Sequence, residues 1–340
     1  MLKKRSKITL VVIAALLGLG AIYEQVGRHQ DRARLPQIGK SVDIGGRSLN
    51  IFCSGTGGPT VVFESGGDGP GLGWQSIQSQ VAAFTQACWY DRAGIGWSDP
   101  GPYPRTSAAI GRDLHELLKR AGVPPPYVLA GASFGGLNSR VYNGLYPQEV
   151  ASMVLIDSAH EDEPIRAPKF YLARTLPRWL WHPASIAFQT AANVGLIRLF
   201  QTSPPQSNPG SPLTPDEIIA ALRRQPKSVA NNAMTGIVIP ESYEEARAAA
   251  GLGDRPLIVL TAGQSFDFGD PTMNQQAAAY QQVWIHEMQA KLAQLSTRGR
   301  QIVFDHSNHG SIPNDAIISA IRDVVTQARS AHALSSQPIR

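Results

Sequence analysis

Charge is scarce in this 340-residue chain: Asp, Glu, Lys and Arg make up 17% of it, against roughly a quarter in an average soluble domain. Hydrophobic residues reach 43%, so a sizeable core is available and global disorder is excluded. The body also lacks a surplus of either sign. The net charge is +5, but within residues 1–34 Lys3, Lys4, Arg5, Lys7, Arg28, Arg32 and Arg34 stand against only Glu24 and Asp31, which accounts for the whole excess. A body neutral overall has no basic face to offer phosphates, and no nucleic acid is expected as a partner. Cysteine is nearly absent: Cys53 and Cys88 are the two, and two buried thiols are their ordinary reading. No internal repeat is visible, and the length allows one large α/β domain or two ordinary ones.

What the chain does have begins at its N-terminus. KKRSK precedes ITLVVIAALLGLGAIY, an uncharged run from Ile8 to Tyr23. A helix of that length measures about 24 Å, short of a comfortable ~30 Å span. The run is long for the apolar part of a signal peptide, and Gly18-x-Gly20 is a weak cleavage pattern. These features favour an uncleaved membrane anchor over a cleaved signal that would release a secreted body. Basic residues ahead of the run favour a cytoplasmic N-terminus and an exported body, periplasmic or extracellular, although three arginines follow it. Export makes a disulfide between the two cysteines plausible.

Beyond residue 34 the pattern alternates. KSVDIGGRSLNIFCSG reads as two strands joined at Gly45-Gly46, PTVVFE as a buried strand, and GWQSIQSQVAAF as a helix. Ile110, Leu114, Leu117, Leu118 and Ala121 share one face of a helix that Gly122 stops. YVLAG and ASMVLIDS are strands too apolar to have a wet face. Such alternation predicts a mostly parallel sheet covered on both sides. The rhythm breaks near Ala159 and resumes at RPLIVLTAG, which leaves residues 159–250 as a helical insertion, a lid. The insertion holds a Pro/Ser-rich stretch, QTSPPQSNPGSPLTP, and a good helix start at Thr214, Pro215 and Glu217. A long helix with Tyr280, Val283, Trp284, Met288, Leu292 and Leu295 on one side follows, then the strand RQIVFDHS and a last helix. The expected organisation is an N-terminal segment 1–34, a core of 35–158 and 251–330, the lid 159–250 and a tail 331–340.

One motif carries chemistry. In GASFGG, residues 131–136, Ser133 sits between Gly131 and Gly135 where a strand gives way to a helix. A G-x-S-x-G at that junction is a sharp, strained turn that lifts the serine above the sheet and onto a helix N-terminus, where unpaired N–H groups favour negative charge. Such a serine needs a base. Of eight histidines, His306 and His309 lie in the loop after the last strand, at the sheet edge where the turn opens, and His309 at the loop tip is preferred. A carboxylate must orient it. Asp157, ending SMVLID, and Asp267, after PLIVLTAG, both qualify; Asp157 is preferred and Asp267 is the alternative. Two backbone N–H groups should hold the oxyanion, one from Phe134 and one from Gly67 in the turn SGGDG. That turn lacks the lysine and spacing of a phosphate-binding loop.

GASFGG, the strand-ending ESGG, YDRAGIGWSDPG at 90–101 and a late histidine together resemble the α/β-hydrolase superfamily over about residues 40–330. The resemblance implies an eight-stranded, mostly parallel sheet with helices on both faces, an antiparallel second strand, a helical cap after the sixth strand and a Ser-acid-His triad. It implies that Asp91, Arg92, Gly94, Gly96 and Ser98 are mainly structural. It places the acid after the sixth or the seventh strand. The seventh-strand version usually has it three residues beyond the terminal glycine, where this chain has Phe266, and this favours Asp157. The branch with an aspartate nucleophile is set aside because Ser133 stands there. Neighbouring second and fourth strands would bring Cys53 and Cys88 together.

The resulting expectation is a serine hydrolase cleaving a small-molecule carboxylic ester through an acyl-enzyme, with membrane contact through its N-terminal segment and no metal or cofactor required. Amide or lactone hydrolysis is the alternative within enzymes. A hydrolase-fold binding protein or receptor with slow turnover is the alternative outside them, as is a tethered interaction module with a vestigial triad. Phe170, Tyr171, Trp179, Trp181 and Phe188 in the lid are read either as an apolar pocket or as lid core.

Overall fold

The computed structural model describes residues 2–172, 175–201 and 212–335. Residues 202–211 of the Pro/Ser-rich stretch, and the end of the tail, lie outside the described residues. One eight-stranded sheet runs in the order β1-β2-β4-β3-β5-β6-β7-β8. Its strands are β1 (Lys40–Asp43), β2 (Ser48–Ser54), β3 (Thr60–Glu64), β4 (Ala87–Tyr90), β5 (Tyr127–Ala132), β6 (Val150–Ile156), β7 (Leu257–Ala262) and β8 (Gly299–Phe304). β2 runs antiparallel to both β1 and β4, and every other pairing is parallel.

Side-chain alternation along the central strands feeds two cores. Val61, Phe63, Val128, Ala130, Val154 and Ile258 pack with Ile317, Ile321 and Val324 on one side of the sheet. Val62, Leu129, Met153, Leu155 and Val259 pack with Leu114, Leu117 and Leu118 on the other. That is why these strands read as unbroken apolar runs: both faces are dry. The covering helices are α2 (Gln75–Val81), α3 (Ser107–Ala121), α4 (Phe134–Leu145) and, from the C-terminal end, α12 (Asn314–Ser335). Helix α3 starts at Thr106, whose hydroxyl accepts from Ala109 N–H, and stops at Gly122 in the left-handed region. Cys53 and Cys88 stand opposite each other in the β2–β4 pair and form a disulfide that joins these strands.

Between β6 and β7 the chain leaves the sheet to build a helical cap: α5 (Glu163–Arg166), α6 (Trp181–Asn193), α7 (Leu196–Leu199), α8 (Pro215–Arg223) and α9 (Pro226–Ala248). Thr214 and Glu217 satisfy each other's backbone in a capping box at the start of α8. Trp181 and Phe188 pack on Met234, Ile237 and Val238 of α9, so both are cap core. The long helix expected around 271–295 is interrupted. α10 (Pro271–Val283) passes through a π-helical segment, Trp284–Gln289, before α11 (Ala290–Ala293). Sequence periodicity does not register one extra residue in a turn, and Trp284 opens that turn.

Helix α1 (Leu2–Arg34) is long and apolar enough to cross a membrane, a property that signal sequences share. Ile8, Leu10, Val11, Leu16 and Ile22 are exposed on it. Its C-terminal part is docked on the cap. Arg198 of α7 bridges Glu24 at 2.8 Å and Asp31 at 2.8 Å, and Glu24 is only 1% exposed.

Candidate active site

The G-x-S-x-G turn has the strain expected of it. Ser133 sits at φ 52°, ψ −124°, between the end of β5 and the first residue of α4. Few non-glycine residues adopt such a conformation, and it persists only where surroundings enforce it. Here the glycines do so. A β-carbon on Gly131 would lie 2.5 Å from Gly135 O, and one on Gly135 would lie 2.2 Å from Glu64 O. Strand, helix and the end of β3 therefore meet at backbone contact distance, which forces the corner on which Ser133 stands.

His309, in the loop after β8, brings its Nε2 to 2.9 Å from Ser133 Oγ and its Nδ1 to 2.6 Å from Asp157 Oδ2. Asp157 follows β6, also at positive φ (40°), and is 3% exposed. Its other oxygen accepts from Ala262 N–H at 3.0 Å and Trp284 Nε1–H at 2.8 Å. Both oxygens are thus occupied, and the π-helical turn supplies one of the donors. Burial is the largest influence on His309 and pulls its pKa down. The hydrogen bond and charge of Asp157, joined by the charge of Glu163, outweigh it, so the pKa stands above the ordinary 6.5.

Asp267 is elsewhere. It is exposed, and its Oδ1 accepts from Gly269 N–H at 2.9 Å and Asn274 Nδ2–H at 2.7 Å, which lowers its pKa. His306 is exposed and lines no part of the cavity. Gly67 and Phe134 both line the cavity beside Ser133. The carbonyls of the Gly67 turn are held from behind by Arg92, which donates to Ser65 O, to Gly66 O at 2.6 Å and to Gly67 O. With its carbonyls drawn toward the guanidinium, the turn is fixed by a charge. Arg92 also pairs with buried Glu64 at 2.8 Å, and Glu64 in turn accepts from Tyr90 and Asn138. The resemblance made Arg92 mainly structural, and its guanidinium reaches across to another loop. Nothing local in YDRAGIGWS reveals that reach.

The cavity holds about 320 Å³ and is lined by Tyr171, Tyr243, Tyr280, Trp284, Phe266 and Glu163 besides the groups already named. Of the five cap aromatics read from the sequence, only Tyr171 reaches it; Phe170 packs on Tyr171 and Phe268, and Trp179 is 75% exposed. Glu163 and Tyr243 gave no sequence signal. His160 is fully buried, and burial holds its pKa down at about 4, so its ring is neutral. Its Nδ1 accepts from Asp162 N–H, which leaves the proton on Nε2. Among the described residues no group of His, Cys, Asp and Glu is arranged to hold a metal ion.

A family model described as the alpha/beta hydrolase fold matches residues 59–316. The chain belongs to that family. This hydrolase-fold chain is 28% identical over 157 residues to an uncharacterized protein, YbdG, of Bacillus subtilis (strain 168), a match covering 44% of this chain and 48% of the relative. It spans less than half the length of the curated relatives it matches. Among solved structures, a thermophilic esterase from Thermogutta terrifontis superposes with a TM-score of 0.55 at 17% identity, covering 86% of this chain and 99% of that one. The enol-lactonase from Burkholderia xenovorans LB400 superposes with a TM-score of 0.54 at 17% identity, covering 84% and 100%. At such identities the likeness is one of fold.

Proposed function

We propose that the protein is a serine hydrolase that cleaves a carboxylic ester through an acyl-enzyme. One observation carries the reading: a single imidazole stands within proton-transfer reach of the Ser133 hydroxyl and, through its other nitrogen, of the Asp157 carboxylate. His309 Nε2 takes the Ser133 proton as Oγ attacks the carbonyl. The oxyanion is received by the N–H groups of Gly67 and Phe134 at the positive end of α4. His309 then returns the proton to the leaving alcohol. Water repeats the sequence on the acyl-enzyme and releases the acid, while Asp157 holds the ring and balances its transient charge. The esterase and lactonase among the structural neighbours are consistent with this class of acyl transfer.

The test is a fluorophosphonate probe and a chain-length series of p-nitrophenyl esters. Wild-type protein should label at Ser133 and turn over esters. Labelling without turnover would favour a binding protein, and no labelling in a folded sample would end the proposal.

We also infer that α1 is retained as a membrane tether. Supporting this is the packing of its C-terminal part, where Glu24 is buried against a cap arginine. Cleavage beyond Asp31 would strip Arg198 of both acids, whereas cleavage within the run would leave both on the body and remove the apolar segment. N-terminal sequencing of the mature protein, with carbonate extraction of membranes, decides it: a mature start within or beyond the apolar run Ile8–Tyr23 is incompatible with the tether.

A further inference from the structure

We propose that Glu163, with the aromatic wall beside it, forms a subsite for a positively charged group, so that the ester cleaved at Ser133 carries an alkylammonium or similar cation. The inference rests on the ester-hydrolase reading and adds the charge of the substrate to it.

Glu163 is the first residue of α5, and it lines the same cavity as Ser133 and His309. Two neutral donors hold its carboxylate: His160 N–H at 2.8 Å from Oε1, and the Tyr243 hydroxyl at 3.3 Å from Oε2. Among the described residues no ion pair reaches it and no Lys or Arg lines the cavity. The acids around it are treated differently. Glu161 pairs with Arg140 at 2.7 Å, and Asp162 with Arg247 at 2.7 Å and Lys291 at 3.0 Å. Glu287 pairs with Arg166, the last residue of α5. A carboxylate removed from water without a counter-ion is costly. Arginine or lysine side chains reach each neighbouring acid, and among the described residues none reaches the one in the cavity.

The cavity suits a cation in two further ways. Its other carboxylate, Asp157, is close enough for its charge to act on Glu163, and with Glu163 ionised and His309, the opposing charge, neutral, the potential inside is negative. Aromatic rings make up much of the wall: Tyr171 and Tyr280 stand 5.4 Å apart by centroid, and Tyr280 and Trp284 stand 6.1 Å apart. Ring faces attract cations, and desolvation strengthens the attraction. An aliphatic acyl chain would use the rings but would gain nothing from the acid. A carboxylate and several rings within one small cavity match a group that is both apolar and charged.

The experiment compares ester pairs of one shape and two charges, on the full-length protein in detergent. In the first pair, butyrylcholine is set against the isostere in which tert-butyl replaces trimethylammonium. In the second pair, the same exchange is made at the end of the acyl chain. The kcat/KM of wild-type protein should favour the charged member of at least one pair by about tenfold, a typical contribution of a charged contact to a carboxylate. Glu163→Gln keeps an acceptor for His160 N–H and should bring the ratio to within about twofold of one, with Glu163→Asp in between. A merely structural role for Glu163 would lower both members together and leave the ratio where it was. A wild-type ratio at or below one in both pairs overturns the inference, as does a ratio that Glu163→Gln does not change. In either case, continued cleavage of the uncharged ester leaves the hydrolase reading standing. If wild-type protein cleaves no member of either pair and Ser133 does not label, both readings fall.

Discussion

Glu64 ends β3 beneath the Gly67 turn, and Glu163 opens the first helix of the cap; both glutamates lie close to the same serine, Glu64 buried and Glu163 half-buried, and their surroundings differ. Glu64 is clamped by Arg92, Tyr90 and Asn138. Glu163 has a backbone N–H and a tyrosine hydroxyl, and its pKa is raised by burial to about 7. On the sheet side, fixed charges hold the backbone that the proposed reaction would use to receive the oxyanion. On the cap side a charge is left available. A site divided in this way keeps its reacting groups rigid while selection resides in a part that tolerates change.

The hardest blow falls on the sheet side. Ser133→Ala should lower kcat by about ten-thousandfold or more while thermal unfolding stays close to wild type, because the residual rate comes only from binding and the oxyanion site. Substantial turnover in that variant, with labelling elsewhere, would refute the assignment of the nucleophile. Next come the two aspartates. Asp157→Asn should cost about a thousandfold, since an amide cannot balance the imidazolium and both carboxylate oxygens are in use. Asp267→Asn touches only a surface turn and should stay within about twofold. The same pair separates by pH. Turnover requires neutral His309, so the acid limb of kcat/KM for an uncharged ester should have its midpoint above 6.5. In Asp157→Asn what activity remains should show that midpoint moved downward, because burial then acts with little opposition. A limb that stays put would remove Asp157 from the site.

Arg92 breaks the comparison through stability. Arg92→Ala leaves Glu64 buried without its counter-ion and should cost about 3–5 kcal/mol, more than any surface change. Denaturant midpoints measured beside Glu64→Gln check the cause: if the two losses simply add in the double variant, the pair is not coupled.

The sheet side was also the legible side. Strands with both faces dry are continuous apolar runs, and Gly131 and Gly135 announce a corner because any β-carbon would collide there. The sequence places Asp157 and His309 at strand ends, since a parallel sheet gathers its loops on one edge. Arg92 could not, because its side chain crosses to a turn some 25 residues earlier in the chain. Trp284 depends on a π-helical residue that leaves the apolar periodicity almost unchanged. Glu163 stands in HEDE, a charged stretch in which three acids look alike. Which of them faces a cavity is decided by where Arg140, Arg247 and Lys291 arrive, and those come from distant segments.

The docking of α1 extends the comparison to the cap as a whole. Arg198→Ala removes the bridge from α7 to Glu24 and Asp31, leaving Arg28 as the partner of Glu24. A loss of about 1–3 kcal/mol is expected, felt in the cap and α1 more than in the sheet. Hydrogen exchange should quicken in α6 and α7 while β5 and β6 keep their protection. Uniform quickening across the molecule would argue that cap and sheet unfold as one unit.

The smallest effect is one of sign. A carboxyl whose pKa is raised from 4.5 to about 7 on folding binds protons more tightly in the folded state, so it destabilises the fold progressively as pH rises from 4.5 to 7. The groups that face Glu163 are Asp157 and His309 from the sheet edge, Tyr243 and Tyr280 from the packed helices, and the His160 N–H. His309 titrates in a neighbouring range, and its raised pKa adds a loss of stability as pH passes through it, a loss smaller in Glu163→Gln because the Glu163 charge helps to raise that pKa. Glu163→Gln lacks the Glu163 contribution. Its melting temperature should therefore match that of wild type near pH 4, where both side chains are neutral, and exceed it by a few degrees near pH 8. A variant that matched wild type near pH 4 and was less stable near pH 8 would mean that the Glu163 carboxylate supports the fold, and a charge that supports the fold is not one held in reserve for a substrate.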